Sequence, residues 1–78
     1  MEIKTNYNIG DEVWTIQDNA VRKGIIEGIK VYIITTDIRP SKRTFYDLEC
    51  RYNDIACTFH NVNEELCFPT KQELLDSL

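Results

Sequence analysis

The chain has 78 residues, 9 Lys and Arg against 13 Asp and Glu, a net charge of -4 and 42% hydrophobic residues, enough for one small core in a single domain over 1–78. That balance excludes a disordered tail, and 3 Gly with 2 Pro exclude a fibrous chain. No apolar run approaches the ~18 residues of a membrane span, because Ile33-Ile34 is followed at once by Thr35, Thr36 and Asp37.

The start MEIKTNYNIG lacks a basic segment followed by an apolar one, so no secretory leader is expected. Cys50, Cys57 and Cys67 are an odd number without a CxxC pair and read as reduced thiols, which together points to a cytoplasmic protein.

In chain order, Glu12-Val13-Trp14-Thr15-Ile16-Gln17 has strand-favouring residues and sets a first strand over 11–17. Asp18-Asn19-Ala20 supplies turn chemistry for a hairpin. Val21 to Asp37 is longer than a usual strand and is interrupted by Gly24 and Gly28, which predicts a bent strand with Ile29, Val31 and Ile33 inward and Tyr32 outward. Ile38 to Arg43, with Pro40 and a basic cluster, reads as a loop.

Tyr46, Leu48, Cys50 and Tyr52 then alternate with Phe45, Asp47, Glu49 and Arg51, the mark of a half-buried strand with the first set inward. Asn53-Asp54 is a second turn, followed by alternation of Ile55, Cys57 and Phe59 with Ala56, Thr58 and His60. Val62 to Phe68 reads as a loop or 3₁₀ turn entering a short last strand. Thr70-Lys71-Gln72-Glu73 fits a capping box for a helix over 71–78, whose Leu74, Leu75 and Leu78 must dock on the sheet because so short a helix is unstable alone.

Gly10-Asp11-Glu12-Val13-Trp14, a turn, and Gly24-Ile25-Ile26-Glu27-Gly28-Ile29 resemble the opening of SH3-like barrels of the KOW and Tudor type. The ending from Phe68 to Leu78 is similar to small uncharacterised bacterial and phage proteins that end in TKEELLxSL. The resemblance implies a mainly β fold, a small SH3-like barrel of about five strands with one C-terminal helix. It implies no single function, since such barrels bind nucleic acid, methylated side chains or proline-rich peptides.

Cys50, Cys57, His60 and Cys67 have the residue types of a zinc site, but Cys57 and His60 have opposite parity on one strand and would diverge. Buried apolar roles explain Cys50 and Cys57 instead. His60 has no neighbouring nucleophile signature, and Gly24 and Gly28 lack a phosphate-loop context. No metal, no cofactor and no catalysis are therefore expected.

What remains is a binding module. Trp14, Tyr32 and Phe45 are candidate partner-binding aromatics, Tyr32 and Phe45 as a cross-strand pair that Trp14 extends, for a protein partner or self-association. The alternative is a nucleic-acid-binding accessory factor reading through Arg39, Lys42 and Arg43, which the net charge opposes. Trp14 has a second reading, as a seat for the terminal helix.

Overall fold

A computed structural model describes residues 5–35 and 40–78, and of Tyr52 the backbone alone. Four strands, β1 (Glu12–Gln17), β2 (Ala20–Thr35), β3 (Pro40–Tyr52) and β4 (Ile55–Asn63), form one antiparallel sheet in the order β1-β2-β3-β4. A 3₁₀ turn (Glu64–Leu66) and a helix, α1 (Lys71–Asp76), follow. The fold is mainly β with a short terminal helix, and among the described residues no helix is long and apolar enough to cross a membrane.

Two hairpins arise where the side chains favour them. Asp18 and Asn19 have φ of 53° and 61°, and Asn53 and Asp54 have φ of 49° and 65°. Two consecutive left-handed residues make the two-residue turn whose twist matches its flanking strands, and Asn and Asp tolerate that region best among residues with a Cβ.

Val13, Ile26, Tyr46, Leu48, Cys50, Val62 and Cys67 are buried together, with Tyr7, Ile29 and Phe59 packed against them. Gly24 lets β2 cross closely over β3: a Cβ there would lie 3.0 Å from Cys50 Sγ and 3.1 Å from Leu48 Cβ. Inside the core the Tyr46 hydroxyl donates to Glu64 Oε2 and accepts the Tyr7 N–H at 3.3 Å, while Glu64 Oε2 also takes the Asn6 N–H at 3.0 Å. The buried phenol thereby ties the N-terminal segment and the 3₁₀ turn to β3.

The sheet is open rather than a closed barrel, and the fifth strand is reduced to one bridge. Trp14 and Phe68 exchange both backbone hydrogen bonds, at 2.7 and 2.9 Å, which brings the chain after the 3₁₀ turn back to the outer edge of β1. Proline at 69 has no N–H with which to continue that ladder.

Other expectations change as well. Pro40 to Arg43 is strand, not loop: Thr35↔Pro40, Ile34↔Ser41, Ile33↔Lys42 and Tyr32↔Arg43 are paired. Pro40 stands at the first position of β3, where a missing donor is tolerated. Ile38 and Arg39, like Thr36 and Asp37, lie outside the described residues, as does the Tyr52 side chain expected inward.

Of the inward set on β2, Ile29 joins the core, but Ile33 is 42% exposed because the paired strands outrun the core. Ile26 takes its place, since Glu27 forms a bulge between the Ile26↔Leu48 and Gly28↔Asp47 pairs. Cys57 is exposed, not buried: its end of β4 lies at the open edge.

The helix ends at Asp76, short of 78, and buries Leu74 alone, leaving Leu75 and Leu78 exposed at 41% and 79%. Its cap is half the expected box. Thr70 Oγ1 accepts the Glu73 N–H at 3.2 Å, while the Glu73 carboxylate meets the Thr70 hydroxyl rather than its backbone.

Candidate functional site: a basic, aromatic arm

Beyond Tyr46 the β2–β3 ladder continues as an arm, from Lys30↔Phe45 out to Thr35↔Pro40, in a molecule measuring 47 × 25 × 20 Å. Alternation from the buried Tyr46 puts Lys30, Tyr32 and Ile34 of β2 on the outer face with Phe45, Arg43 and Ser41 of β3. The Tyr32 and Phe45 rings meet edge to face, with centroids 5.7 Å apart at 71°. Such pairs favour this geometry because the positive ring edge faces the negative π cloud. Tyr32 is 52% exposed and Ile33 and Ile34 are exposed beside it.

Four of the nine basic residues and one of the thirteen acidic ones lie between Gly28 and Tyr46, a net of +3, leaving 5 basic and 12 acidic, or -7, in the rest of the chain. The net charge of -4 therefore hides a segregation. With a Debye length of about 8 Å at physiological salt, an approaching partner senses the arm's local charge more than the distant acids of the body.

The arm unites residues that the sequence placed in separate elements. Arg43 stands opposite Tyr32 on the ladder and Lys42 opposite Ile33, so the basic pair and the aromatic pair share one hairpin. Arg39 lies outside the described residues. Trp14 does not extend the patch: it pairs with Lys23 near the other end of β2, and about 30 Å of strand separates that rung from Tyr32 at ~3.3 Å per residue. Instead the Lys71 ammonium lies 6.0 Å from the Trp14 ring centroid, and Ile16, Phe68 and Leu74 line one recess under the helix. Trp14 thus lies beside the first residue of the helix, away from the arm.

At the root of the arm is a polar network that the sequence did not reveal. Asp47 Oδ1 accepts the Asn61 N–H at 3.1 Å and lies 3.7 Å from Lys30 Nζ and 3.4 Å from His60 Nδ1, while Lys30 Nζ donates to Asn61 Oδ1 at 2.9 Å. The Asn61 N–H holds the Asp47 carboxyl below the usual range, with Lys30 and His60 acting in the same sense. Asn61, at φ 57°, forms the bulge where His60 and Asn61 together face Asp47. Gly28 is part of the same design, since a Cβ there would lie 2.9 Å from Asp47 Oδ2. In the sequence only Gly28 points to it, and a glycine inside a strand signals a bend as readily as room for a neighbouring side chain.

Next to this network Glu27, the bulge residue, faces Glu49. The hydrogen bond between them raises the Glu27 carboxyl and lowers that of Glu49, and Arg51 Nε at 3.2 Å further favours the Glu49 anion. Among the described residues no three His, Cys, Asp or Glu side chains converge as metal ligands. His60 turns to Asp47, and Cys67 lies in the core with its thiol pushed up to about 12, chiefly by burial.

Compared with protein-family models, curated proteins and solved structures, the chain matches none.

Proposed function

We propose that this protein is a non-catalytic binding module whose β2–β3 arm engages an acidic partner protein. The observation that carries this reading is the half-exposed Tyr32–Phe45 pair on a hairpin that leaves the core, flanked on its own face by Lys30 and Arg43, with Lys42 on the other face of the same hairpin. A hairpin that contributes little to the core but keeps aromatic and isoleucine side chains in water has the composition of a recognition surface: aromatic anchors inside a polar, charged rim. The SH3-like relationship belongs to the same reading, supported by two successive hairpins, a 3₁₀ turn and a bridge from Phe68 back to β1.

The test is capture with the purified wild-type protein beside its Tyr32→Ala/Phe45→Ala variant. A partner lost with the variant, and released by added salt, supports the reading. Retention of every captured partner by a folded variant refutes it.

The cross-strand Tyr32–Arg43 pair favours a second reading, single-stranded nucleic acid, because a stacking ring beside a guanidinium suits a base next to its phosphate. Fluorescence anisotropy with a labelled single-stranded oligonucleotide at low salt decides it. Binding that falls steeply with salt supports this alternative, and no binding removes it.

A further inference from the structure

We propose that two copies of the chain pair through the free edge of β4, antiparallel about a two-fold axis at Thr58. The two edges of the sheet are treated differently. The outer edge of β1 is occupied by Phe68 and flanked by α1, whereas β4 pairs with β3 alone among the described residues.

The turn chemistry fixes which backbone groups that edge presents. Tyr52↔Ile55 closes the two-residue turn Asn53-Asp54, and the closing pair of such a hairpin exchanges both hydrogen bonds. Cys57 and Phe59, in phase with Ile55, therefore also aim their backbone groups at β3, while Ala56, Thr58 and His60 aim theirs outward. The bulge at Asn61 ends the straight edge immediately after His60. The usable edge is thus Ala56 to His60, centred on Thr58.

A second copy fits this edge without adjustment. Antiparallel pairing about Thr58 sets Thr58 opposite its own copy and Ala56 opposite the partner's His60, so all three outward N–H groups of each chain meet outward carbonyls of the other. The register also keeps the core-facing side of both sheets on one side, which sets the exposed Cys57 opposite the partner's half-buried Phe59. A two-fold at Thr58 matches the outward groups of the two copies by symmetry over the whole of the straight edge.

Charge points the same way. β4, Ile55–Asn63, is 9 residues long and contains no Lys, Arg, Asp, Glu or Pro, so it lacks the residues that usually guard an edge strand. Two chains of net charge -4 repel elsewhere, but no rung of this pairing sets like charges together. An edge of this length buries less than the ~1,000 Å² of a stable interface, so the dimer is reversible and grows with concentration. It leaves the arm free, because β4 between Ile55 and Phe59 pairs with β3 over Leu48 to Tyr52, at the end away from Pro40.

Sedimentation of the whole chain from micromolar to millimolar concentration tests this. A monomer–dimer equilibrium is expected, weakened about tenfold or more by Thr58→Lys, which sets two ammonium groups on one rung, with the circular dichroism spectrum unchanged. In a Cys57→Ser background, Thr58→Cys should give a covalent dimer with a short bis-maleimide, because a hydrogen-bonded antiparallel pair places its Cα atoms about 5.5 Å apart, within reach of such a linker. A monomer at every concentration overturns the proposal, even one that takes up an extended peptide on β4. So does a dimer indifferent to Thr58→Lys, or failure of Thr58→Cys to cross-link while the dimer persists.

Discussion

Replacing Tyr46 by Phe removes one oxygen from a side chain that is 0% exposed and leaves its ring in place. That oxygen donates to Glu64 Oε2 and accepts the Tyr7 N–H, so the variant loses a hydrogen bond to a charged group and leaves two partners short. Bonds of this kind contribute about 1.5–3 kcal/mol. Glu64 keeps the Asn6 N–H and is half-buried, within reach of water, which argues for the middle of that range, about 2 kcal/mol.

A 78-residue chain has a total stability of roughly 4–12 kcal/mol, so the loss is a sizeable share. Urea unfolding followed by Trp14 fluorescence is the assay. With a slope of about 1 kcal/mol/M, the midpoint should fall by about 2 M.

The pH dependence adds a second signature. Burial first, and then the Glu64 bond and charge, raise the Tyr46 hydroxyl far above its ordinary value of 10. A folded value above the unfolded one contributes stability that is complete below pH 10 and is lost as pH rises further. The gap between wild type and Tyr46→Phe should therefore be constant from neutral pH to about 10 and narrow above it. An unchanged midpoint in urea would refute the assignment of Tyr46 as the tie between the N-terminal segment, β3 and the 3₁₀ turn.

Leu48, 0% exposed at the centre of β3, should cost about 2–5 kcal/mol as Leu48→Ala, enough to take the chain near unfolding; retained dispersion in its proton NMR spectrum at elevated temperature would contradict this. Leu74→Ala removes the one buried contact of α1, and six residues do not hold a helix alone, so hydrogen exchange should show the α1 amides unprotected while the sheet amides stay slow. Cys67, raised from 9.0 to about 12 by burial and by the charge of Glu64, contributes stability that is complete below pH 9 and falls between 9 and 12; melting temperature measured across that range should drop in wild type and drop less in Cys67→Ala.

Local chemistry carried far in the sequence, and long-range packing did not. Asp18-Asn19 and Asn53-Asp54 announce both hairpins because left-handed turns need those side chains. The alternation of Tyr46, Leu48 and Cys50 marks the core strand because one face of the sheet is dry.

Three features escaped this reasoning, each because it depends on what lies opposite. Pro40 and the basic residues after it look like a loop until their rungs with β2 are seen. The Glu27 and Asn61 bulges leave no trace in local periodicity, since each adds one residue to only one strand of a pair. The length of the arm relative to the core decides that Ile33 is wet although its parity matches Ile29.

For the site, parity alone placed Tyr32 and Phe45 on one outer face, and the structure brings their rings into contact. Trp14 shares that face by parity, but its register puts it at the far end of β2.

Photo-cross-linking in cells producing the protein, from two exposed positions, Ser41 on the arm and Gln72 on α1, tests whether the arm is where a partner is held. A discrete adduct is expected from position 41, absent from position 72 and lost when Tyr32→Ala and Phe45→Ala are added. Equal adducts from both positions, or an adduct at 41 that survives the double substitution in a folded protein, would contradict it.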